Sequence, residues 1–472
     1  MPKRESYDAV VVGAGPNGLA AAITLGSRFD AVLLLEAKET VGGGARSAAL
    51  TLPGFVHDVC STVQPLSLAS PFFRRLDLQK SGLEWIQPEI PLAHPFEDGS
   101  ALFLHRSLAV TADAMGPDGR AYRRLLQPFV DHQERLLADI LKPLHIPENP
   151  LLMSRFAFHA LRSLRNFVKA EFQSDRTRAL FAGLAAHVMI PVERTATAAF
   201  AIVLAALAHS VGWPVIQGGS QKLADALADR FRSGGGEIIT GTPITAVGQM
   251  PRAALYFFDV TPRQLLDIEG LGLSDCYRRR LARFRYGPGV CKMDWALREP
   301  IPWTAEICRK AGTVHLGASL AEISSSLRDV AAGATPSSPY IVLAQQSLFD
   351  PSRAPAGGHT AWAYCHVPHG STADLSEIVE AKIERYAPGF RKTILAKHVL
   401  SAAAMERYNA NYVGGDINGG VQDLFQLYTR PVAALNPYRT SAPHIYLCSS
   451  STPPGGGVHG LCGHFAAESI CE

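Results

Sequence analysis

This sequence has a small net charge, no closely spaced cysteine pairs and no long apolar run. The 472 residues carry a formal net charge of only +3, which is too small to indicate a nucleic-acid partner. The eight cysteines form no C-x-x-C or zinc pattern, so we expect reduced cysteines, no metal site and no disulfide-reductase chemistry. The longest apolar stretch, residues 198–208, is about half the ~20 residues that a membrane span needs, and it predicts a buried helix.

The first 36 residues carry a dinucleotide-binding pattern. An apolar strand at residues 7–12 is followed by Gly13, Gly15 and Gly18, a helix, and a second strand that ends on Glu36. The glycines suit a tight turn, a close approach to a pyrophosphate and tight helix–strand packing, while the acid suits ribose hydroxyls. The residues expected to contact the dinucleotide here are Gly13, Gly15, Pro16, Asn17, Gly18, Glu36 and Ala37.

A second glycine run favours FAD over NAD. Gly43, Gly44, Ala45 and Arg46 follow the acidic residue closely and resemble the GG-x-x-R-S motif of two-dinucleotide-binding-domain flavoproteins. That resemblance implies that the run wraps the pyrophosphate, with the planar guanidinium of Arg46 against the phosphates.

The C-terminal segment resembles the flavin signature of phytoene desaturases and carotenoid isomerases. A strand at residues 445–448 is followed by a glycine-rich turn and by a helix from about residue 463. The resemblance implies that the turn meets the flavin pyrimidine ring through Ser450, Gly457 and Val458. Residues 449–451 are serines where many members have glycine and alanine, which changes the hydrogen bonds offered to the ring.

Residues 218–247 contain a glycine turn, a helix, a second glycine cluster and a strand. In the same families the equivalent stretch returns the chain to the dinucleotide sheet. The resemblance implies that Ile244 lies against the adenine.

Together these segments resemble the phytoene-dehydrogenase-related FAD oxidoreductases. The resemblance implies an α/β fold: a Rossmann-type FAD-binding domain with an interleaved α+β substrate domain made of a helical cap and a mixed sheet. We assign residues 1–75, 215–262 and 431–472 to the FAD-binding domain, and residues 76–214 and 263–430 to the substrate domain. A second glycine fingerprint is missing, so we expect no separate NADPH domain. Electrons would come from the substrate or leave to oxygen, a quinone or another acceptor.

Lys292 is the first candidate for catalysis. It shares one face of a predicted strand with Asp294 and resembles the amine-oxidase lysine that holds a water near flavin N5. There it would stabilise charge on the reduced flavin or activate oxygen. The alternative is a surface lysine paired with Asp294.

His459 is the best histidine candidate, because the flavin turn positions it. His366, His369 and His464 are weaker candidates at the predicted active side, and a structural role is the alternative for each.

Two other groups stay open at this point. The polar, glycine-rich loop at residues 409–418 is either a wall of the site or a buried turn held by Asx hydrogen bonds. Trp295, Trp303 and Trp362 fit the core better than a substrate cage.

Residues 155–172 raise the question of a membrane surface. At helical spacing, apolar residues there form one side and basic residues the other, as in helices that lie in a lipid interface. The alternative is an amphipathic cap helix. Because the first strand begins at Tyr7, we expect no signal peptide and a cytoplasmic location, with peripheral membrane contact as an open alternative.

The sequence therefore predicts an FAD-dependent oxidoreductase that dehydrogenates or isomerises an apolar, carotenoid-like or lipid substrate by transfer at flavin N5. One alternative is a flavin amine or amino-acid oxidase. Another is an interaction protein whose FAD is structural. Neither the electron acceptor nor the oligomeric state is indicated.

Overall fold

Two large β-sheets organise the chain, and four short strands form two further pairs. In this computed structural model, residues 2–471 are described, so Met1 and Glu472, the predicted outer limits of the FAD-binding domain, lie outside the described residues. The strands are β1 (Ser6–Val12), β2 (Val32–Leu35), β3 (Ser47–Ala48), β4 (His57–Asp58), β5 (Trp85–Ile86), β6 (Ile90–Pro95), β7 (Ala101–Leu104), β8 (Val215–Ile216), β9 (Glu237–Ile239), β10 (Arg252–Phe258), β11 (Gly289–Leu297), β12 (Ala311–Leu316), β13 (Ile341–Ala344), β14 (His359–Val367), β15 (Ile394–Leu400) and β16 (Ile445–Leu447). The two short pairs are β3-β4 and β5-β8.

Helices cover both sheets. They are α1 (Pro16–Gly26), α2 (Pro65–Ala69), α3 (Pro71–Leu76), α4 (Leu108–Ala114), α5 (Gly119–Asp131), α6 (Gln133–Ile140), α7 (Pro150–Ala160), α8 (Leu164–Glu171), α9 (Asp175–Ala186), α10 (Thr197–Ser210), α11 (Gln221–Ser233), α12 (Pro262–Asp267), α13 (Asp275–Leu281), α14 (Leu320–Ala331), α15 (Ser376–Tyr386), α16 (Phe390–Thr393), α17 (Ala402–Tyr408), α18 (Leu424–Thr429) and α19 (Leu461–Glu468). Among residues 2–471, none of these helices combines the length and apolarity needed to cross a membrane.

The first sheet is five-stranded, in the order β16-β10-β1-β2-β9, and every neighbouring pair is parallel. The chain builds outward from β1 on one side and then returns through β10 on the other. The strand order therefore reverses between β1 and β10, the place where open α/β sheets bind ligands. The predicted Rossmann-type fold class is confirmed.

Apolar side chains hold helices on both faces of this sheet. Leu19 and Leu25 of α1 and Leu227 of α11 pack with buried residues of the strands on one face. On the other face, Leu265 of α12 and Leu281 of α13 pack against the sheet, so this layer continues past residue 262.

The second sheet is seven-stranded and mixed, in the order β15-β11-β14-β13-β12-β6-β7. One face packs on α5, α8, α9 and α10 through the largest apolar cluster. The apolar run at residues 198–208 lies within α10, where Ala198, Ala201, Ile202 and Ala205 are fully buried, so the predicted buried helix is confirmed.

Residues 155–172 form the end of α7 and all of α8, separated by a turn at residues 161–163. Of the predicted apolar side, Phe156, Leu164 and Val168 are in the core, whereas Leu161 is half-exposed in the turn. The three buried side chains pack against α9 and α10, as the cap-helix alternative predicts, and contact with lipid stays a prediction.

Candidate functional site

A cavity of about 690 Å³ lies at the carboxyl ends of β1, β2 and β10 and reaches the inner face of the second sheet. All residues predicted to bind the cofactor line it except Gly18 and Ala45. Those lining it are Gly13, Gly15, Pro16, Asn17, Glu36, Ala37, Gly43, Gly44, Arg46, Ile244, Ser450, Gly457 and Val458. Segments that are far apart in the chain thus meet on one wall.

The glycine bend between β1 and α1 is sterically required. Gly13 has φ +101°, in the left-handed region that favours glycine. A Cβ on Gly18 would lie 1.9 Å from the Gly13 carbonyl oxygen, so Gly18 allows α1 to pack on β1. A Cβ on Gly15 would lie 2.7 Å from Oδ2 of Asp259, on the cavity side.

Asp259 is a cavity residue that the sequence did not reveal. It follows β10 directly, and its Oδ2 accepts a hydrogen bond of 2.9 Å from the backbone amide of Gly18. Burial, reinforced by the nearby carboxylate of Glu36, raises the pKa of Asp259 to about 7, even though this amide favours the charged form. The carboxyl group of Asp259 therefore lies at the N-terminus of α1, a place that favours a bound anion. When it is charged, this carboxylate repels such an anion.

Glu36 and Arg46 form a buried pair at the cavity end beside the glycine bend, which we call the nucleotide end because the sequence predicts the dinucleotide there. Arg46 Nη2 lies 2.9 Å from Glu36 Oε1 and also donates to the Thr40 carbonyl oxygen. The second carboxylate oxygen of Glu36 accepts from the amide of Ala14 at 2.8 Å. Because backbone amides and a guanidinium hold it, the acid is fixed beside the glycine bend.

The second glycine run folds into a short 3-10 turn, Gly43–Ala45. Gly43 and Gly44 face the cavity, whereas Ala45 is buried behind them. A Cβ on Gly44 would lie 2.6 Å from the hydroxyl of Tyr412, another lining residue. The run is therefore a closely packed wall.

Residues 242–245 form the outer wall next to Glu36. The amide of Thr242 donates to the Glu36 carbonyl oxygen at 2.8 Å, which holds Ile244 at the cavity edge. The predicted adenine contact is thus on the nucleotide side of the cavity.

His459 lies behind the C-terminal turn and does not line the cavity. Its Nδ1 accepts from the amide of Leu461 at 3.0 Å, while Nε2 is buried and has no hydrogen-bond partner among the described residues. Burial lowers its pKa to about 4, so the ring is neutral. Its observed contacts orient the start of α19, which supports the structural alternative.

Lys292 is fully buried in β11, so it is not a surface lysine, but it is paired with Asp294 as the alternative predicts. Its Nζ donates to Oδ2 of Asp294, and the side chain does not line the cavity. Lys292 is nevertheless paired in register with Tyr364, and Asp294 with Trp362, and both of those rings do line it. The ion pair therefore lies beside these two aromatic side chains on one face of the sheet. His57 Nδ1 lies 3.6 Å from Asp294 Oδ1.

The other candidate histidines lie elsewhere. His464 on α19 contacts Thr24 of α1, at 3.0 Å, and stacks on Phe72. His369 contacts the Gly287 carbonyl oxygen, and His366 is buried with neither nitrogen partnered in the described chain.

Both alternatives for residues 409–418 hold in part. Asn409, Asn411 and Asn418 line the cavity, whereas Asp416 is buried and accepts from the amides of Gly287 and Gly420. Of the three tryptophans, Trp295 and Trp303 are in the core as expected, but Trp362 lines the cavity.

The inner end of the cavity is mainly apolar and aromatic. Its walls include Leu204, Trp213, Val342, Trp362 and Tyr364. Thr313 also lines the cavity, and His187 adds an imidazole. Thr313 Oγ1 and Trp362 Nε1 are buried without hydrogen-bond partners in the described chain.

The described cysteine side chains supply no redox pair to this cavity, because Cys60 alone among them lines it. Cys291 and Cys365 lie opposite each other on β11 and β14, an adjacency that sequence spacing did not predict, but both are buried away from the cavity and free. No group of three His, Cys, Asp or Glu residues within 2–471 is arranged to hold a metal ion.

A family model described as an NAD(P)-binding Rossmann-like domain matches residues 11–76. Pyridine nucleotide-disulfide oxidoreductase domain-containing protein 2 of Mus musculus is 26% identical over 99% of this chain and 94% of its own length. Hydroxyneurosporene desaturase of Cereibacter sphaeroides is 32% identical over 50% of each chain.

Solved structures share the fold across the whole chain. An oxidoreductase from Methanosarcina mazei superposes with a TM-score of 0.66 at 16% identity, covering 98% of this chain and 99% of its own. A triple mutant of putrescine oxidase superposes with a TM-score of 0.64 at 15% identity, covering 99% of both chains. The two-sheet architecture is therefore that of known oxidoreductases.

Proposed function

We propose that this chain, which is homologous to pyridine nucleotide-disulfide oxidoreductase domain-containing protein 2 along its length and distantly to hydroxyneurosporene desaturase, is an FAD-dependent oxidoreductase. The observation that carries the proposal is the continuity of the cavity. It runs from the glycine bend and Glu36 to an aromatic inner end beside the second sheet.

The cavity residues fit an extended dinucleotide. At the N-terminus of α1, Pro16 has no N–H and the Gly18 amide donates to Asp259. The Asn17 amide and the helix dipole are therefore what this end offers to a pyrophosphate. Asn17 lines the cavity. Glu36 would hold the adenine ribose, Arg46 the phosphates, and Ile244 the adenine. Gly457 and Val458 would meet the flavin ring, which supplies two-electron transfer when bound.

The inner end supports an apolar, carotenoid-like or lipid substrate that is dehydrogenated or isomerised. Within the described residues, the carboxylates lining the cavity are Glu36, Asp259 and Asp267, all in segments at the nucleotide end. An ammonium group at the inner end would therefore lack an anionic partner.

One observation favours the amine-oxidase alternative. The rings of Trp362 and Tyr364 lie 5.3 Å apart at an interplanar angle of 81° and both face the cavity. Aromatic faces of this kind attract cations without a carboxylate.

Anaerobic flavin bleaching separates these possibilities. The purified protein, loaded with FAD, is mixed with a detergent-dispersed, partly saturated polyene or with a polyamine, and free FAD serves as the control. We expect a protein-bound flavin spectrum that the polyene bleaches and the polyamine does not. Bleaching by the polyamine alone would overturn the lipid proposal, and a folded protein that refuses FAD would overturn the whole proposal.

We also propose that the protein is cytoplasmic and contacts lipid surfaces through α7 and the loop before it. Leu144, Ile146, Leu151 and Phe158 expose 77%, 91%, 88% and 72% of their surface, which is unusual for large apolar side chains. The exposed side chain of Arg155 lies on the same helix and suits anionic lipid. Because α7 packs against α10, whose Leu204 lines the cavity, this face adjoins the substrate end.

A further inference from the structure

Four histidines that the proposed function does not use cluster behind the inner end of the cavity. His94 is on β6, His187 caps the C-terminus of α9, His315 is on β12 and His366 is on β14. His94, His315 and His366 are fully buried, whereas the ring of His187 is partly exposed and lines the cavity. The cluster thus reaches the cavity through His187.

His187 and His315 are in direct contact. His187 Nε2 lies 3.1 Å from His315 Nε2, and the two rings are 5.0 Å apart. Trp213 contacts both rings edgewise or tilted, with centroids 6.1 Å away. Because Nε2 of His187 contacts His315 and the residue lines the cavity, Nδ1 is the nitrogen left for a ligand.

The position of the proton on each ring of the cluster follows from a backbone carbonyl beside His94. His94 Nε2 lies 2.7 Å from the Gly317 carbonyl oxygen, which only accepts, so this nitrogen carries the proton and Nδ1 is an acceptor. His94 Nδ1 and His315 Nδ1 both face the position that a Cβ on Gly183 would occupy, at 3.4 and 2.9 Å, and both lack partners.

Two lone pairs facing the same point would repel each other, so we assign the proton of His315 to Nδ1. Its Nε2 then accepts from His187 Nε2–H, and His187 presents an unprotonated Nδ1 to the cavity. Gly183, which has no side chain, leaves room for this arrangement, and Tyr340 donates to its carbonyl oxygen at 2.8 Å.

The surroundings keep these rings neutral. The titratable groups that face them are His366, Tyr340 and Tyr364, while the Lys382–Glu322 pair lies beyond His94. Burial lowers the pKa of His187 to about 4, and burial with the neighbouring imidazoles lowers that of His315 well below its usual range. A neutral imidazole at neutral pH is a proton acceptor.

We propose that His187 is the base that takes the proton released when the substrate is dehydrogenated, and that His315 and His94 position it. The inference rests on the proposed function. FAD held along the cavity would supply the two-electron acceptor for the hydride that leaves when one substrate C–H bond breaks. The neighbouring C–H bond breaks, its proton goes to His187 Nδ1, and its electron pair forms the new double bond.

The first experiment measures anaerobic bleaching by the polyene in FAD-loaded His187→Ala, with His132→Ala, an exposed histidine on α5's C-terminal cap, as the matched control. We expect a loss of about 10²- to 10⁴-fold in His187→Ala and none in the control. Added imidazoles should restore bleaching, increasingly so as their pKa rises, because only a missing base is replaced in this way. Equal rates in the two variants would overturn the proposal.

Gly183→Ala tests the positioning residues without touching the cavity wall. Its Cβ would press on His315 and His94, so we expect a smaller loss of bleaching rate that imidazole does not restore. A rate equal to that of the wild type would contradict the role given to His315 and His94.

A second readout does not depend on activity. In protein labelled with ¹⁵N-histidine, the signal lost in His187→Ala should belong to a neutral ring protonated at Nε2. A cationic ring, or a proton on Nδ1, at neutral pH would overturn the proposal. If the wild type refuses FAD or is not bleached, the proposed function fails, and this measurement still decides whether His187 presents a free Nδ1.

Discussion

Asp259 is the residue whose charge most directly opposes a bound pyrophosphate. Its carboxyl group lies at the N-terminus of α1 beside Gly15 and Gly18, and its pKa is raised from 3.8 to about 7. Because the folded pKa exceeds the unfolded value, the group's contribution to stability is complete below about pH 4 and is lost as the pH rises through about 7.

We therefore expect FAD affinity to fall as the pH rises through about 7, by up to about tenfold per pH unit, since binding favours protonated Asp259. Asp259→Asn should remove this dependence. Fluorescence titrations with FAD from about pH 6 to about pH 8.5 measure it. Asp267→Asn, at the exposed rim of the same cavity, is the control and should keep the wild-type dependence. A dependence unchanged in Asp259→Asn would refute the assignment.

Gly15→Val should give a protein without bound FAD. The new Cβ would lie 2.7 Å from Asp259 Oδ2 and would occupy the approach to the pyrophosphate. The absorbance ratio of flavin to protein after purification measures the loss. Gly26→Ala, whose Cβ would make an ordinary contact of 3.6 Å with Phe231, is the matched control. A fully loaded, yellow Gly15→Val protein would contradict this prediction.

Whether a residue could be predicted depended on whether its role follows from its neighbours in the sequence. Gly13, Gly18 and Glu36 were predictable because a strand, a turn and a helix place them locally. Asp259 is 241 residues from Gly18. His187 and His315 meet only through tertiary packing of α9 on the second sheet. No local spacing indicates either contact.

At the scale of elements, β11 carries the buried ion pair of Lys292 and Asp294 between β14 and β15. Lys292→Met leaves the carboxylate without its cation, so we expect a loss of about 3–5 kcal/mol in the free energy of unfolding. The double variant Lys292→Met/Asp294→Leu should recover most of that loss, because it removes the unpaired charge as well.

The same pair of variants tests the catalytic role predicted for Lys292. We expect flavin reoxidation or turnover to be slow in both, with FAD retained, as stopped-flow absorbance would measure. If the double variant regains wild-type kinetics together with its stability, Lys292 is structural.

Strands and helices could be predicted where the apolar residues recur with a clear period. Elsewhere the sequence does not indicate where an element begins and ends. The strand predicted to carry Lys292 and Asp294 is β11 (Gly289–Leu297), whose residues are buried throughout. The pattern at residues 155–172 predicts one helix, but the chain turns at residues 161–163 so that α8 can pack on α9. The periodicity does not indicate the exposed apolar residues of α7, because it does not show which apolar face the core takes.

At the scale of the whole molecule, the exposed apolar face of α7 predicts binding to lipid. We expect the protein to sediment with vesicles containing anionic lipid, less so at high salt. Leu151→Ser/Phe158→Ser should reduce the bound fraction several-fold. Leu435→Ser, which alters an equally exposed apolar residue on another segment, is the control and should bind like the wild type. Undiminished sedimentation of the double variant would rule out this face.

The parallel sheet is completed only by β16, and the turn that follows it closes the cavity at Gly457 and Val458. The flavin pocket of the proposed function therefore does not exist until residues 445–458 have left the ribosome. Cofactor capture becomes a late event in biogenesis, and a chain halted before residue 445 would be made without colour.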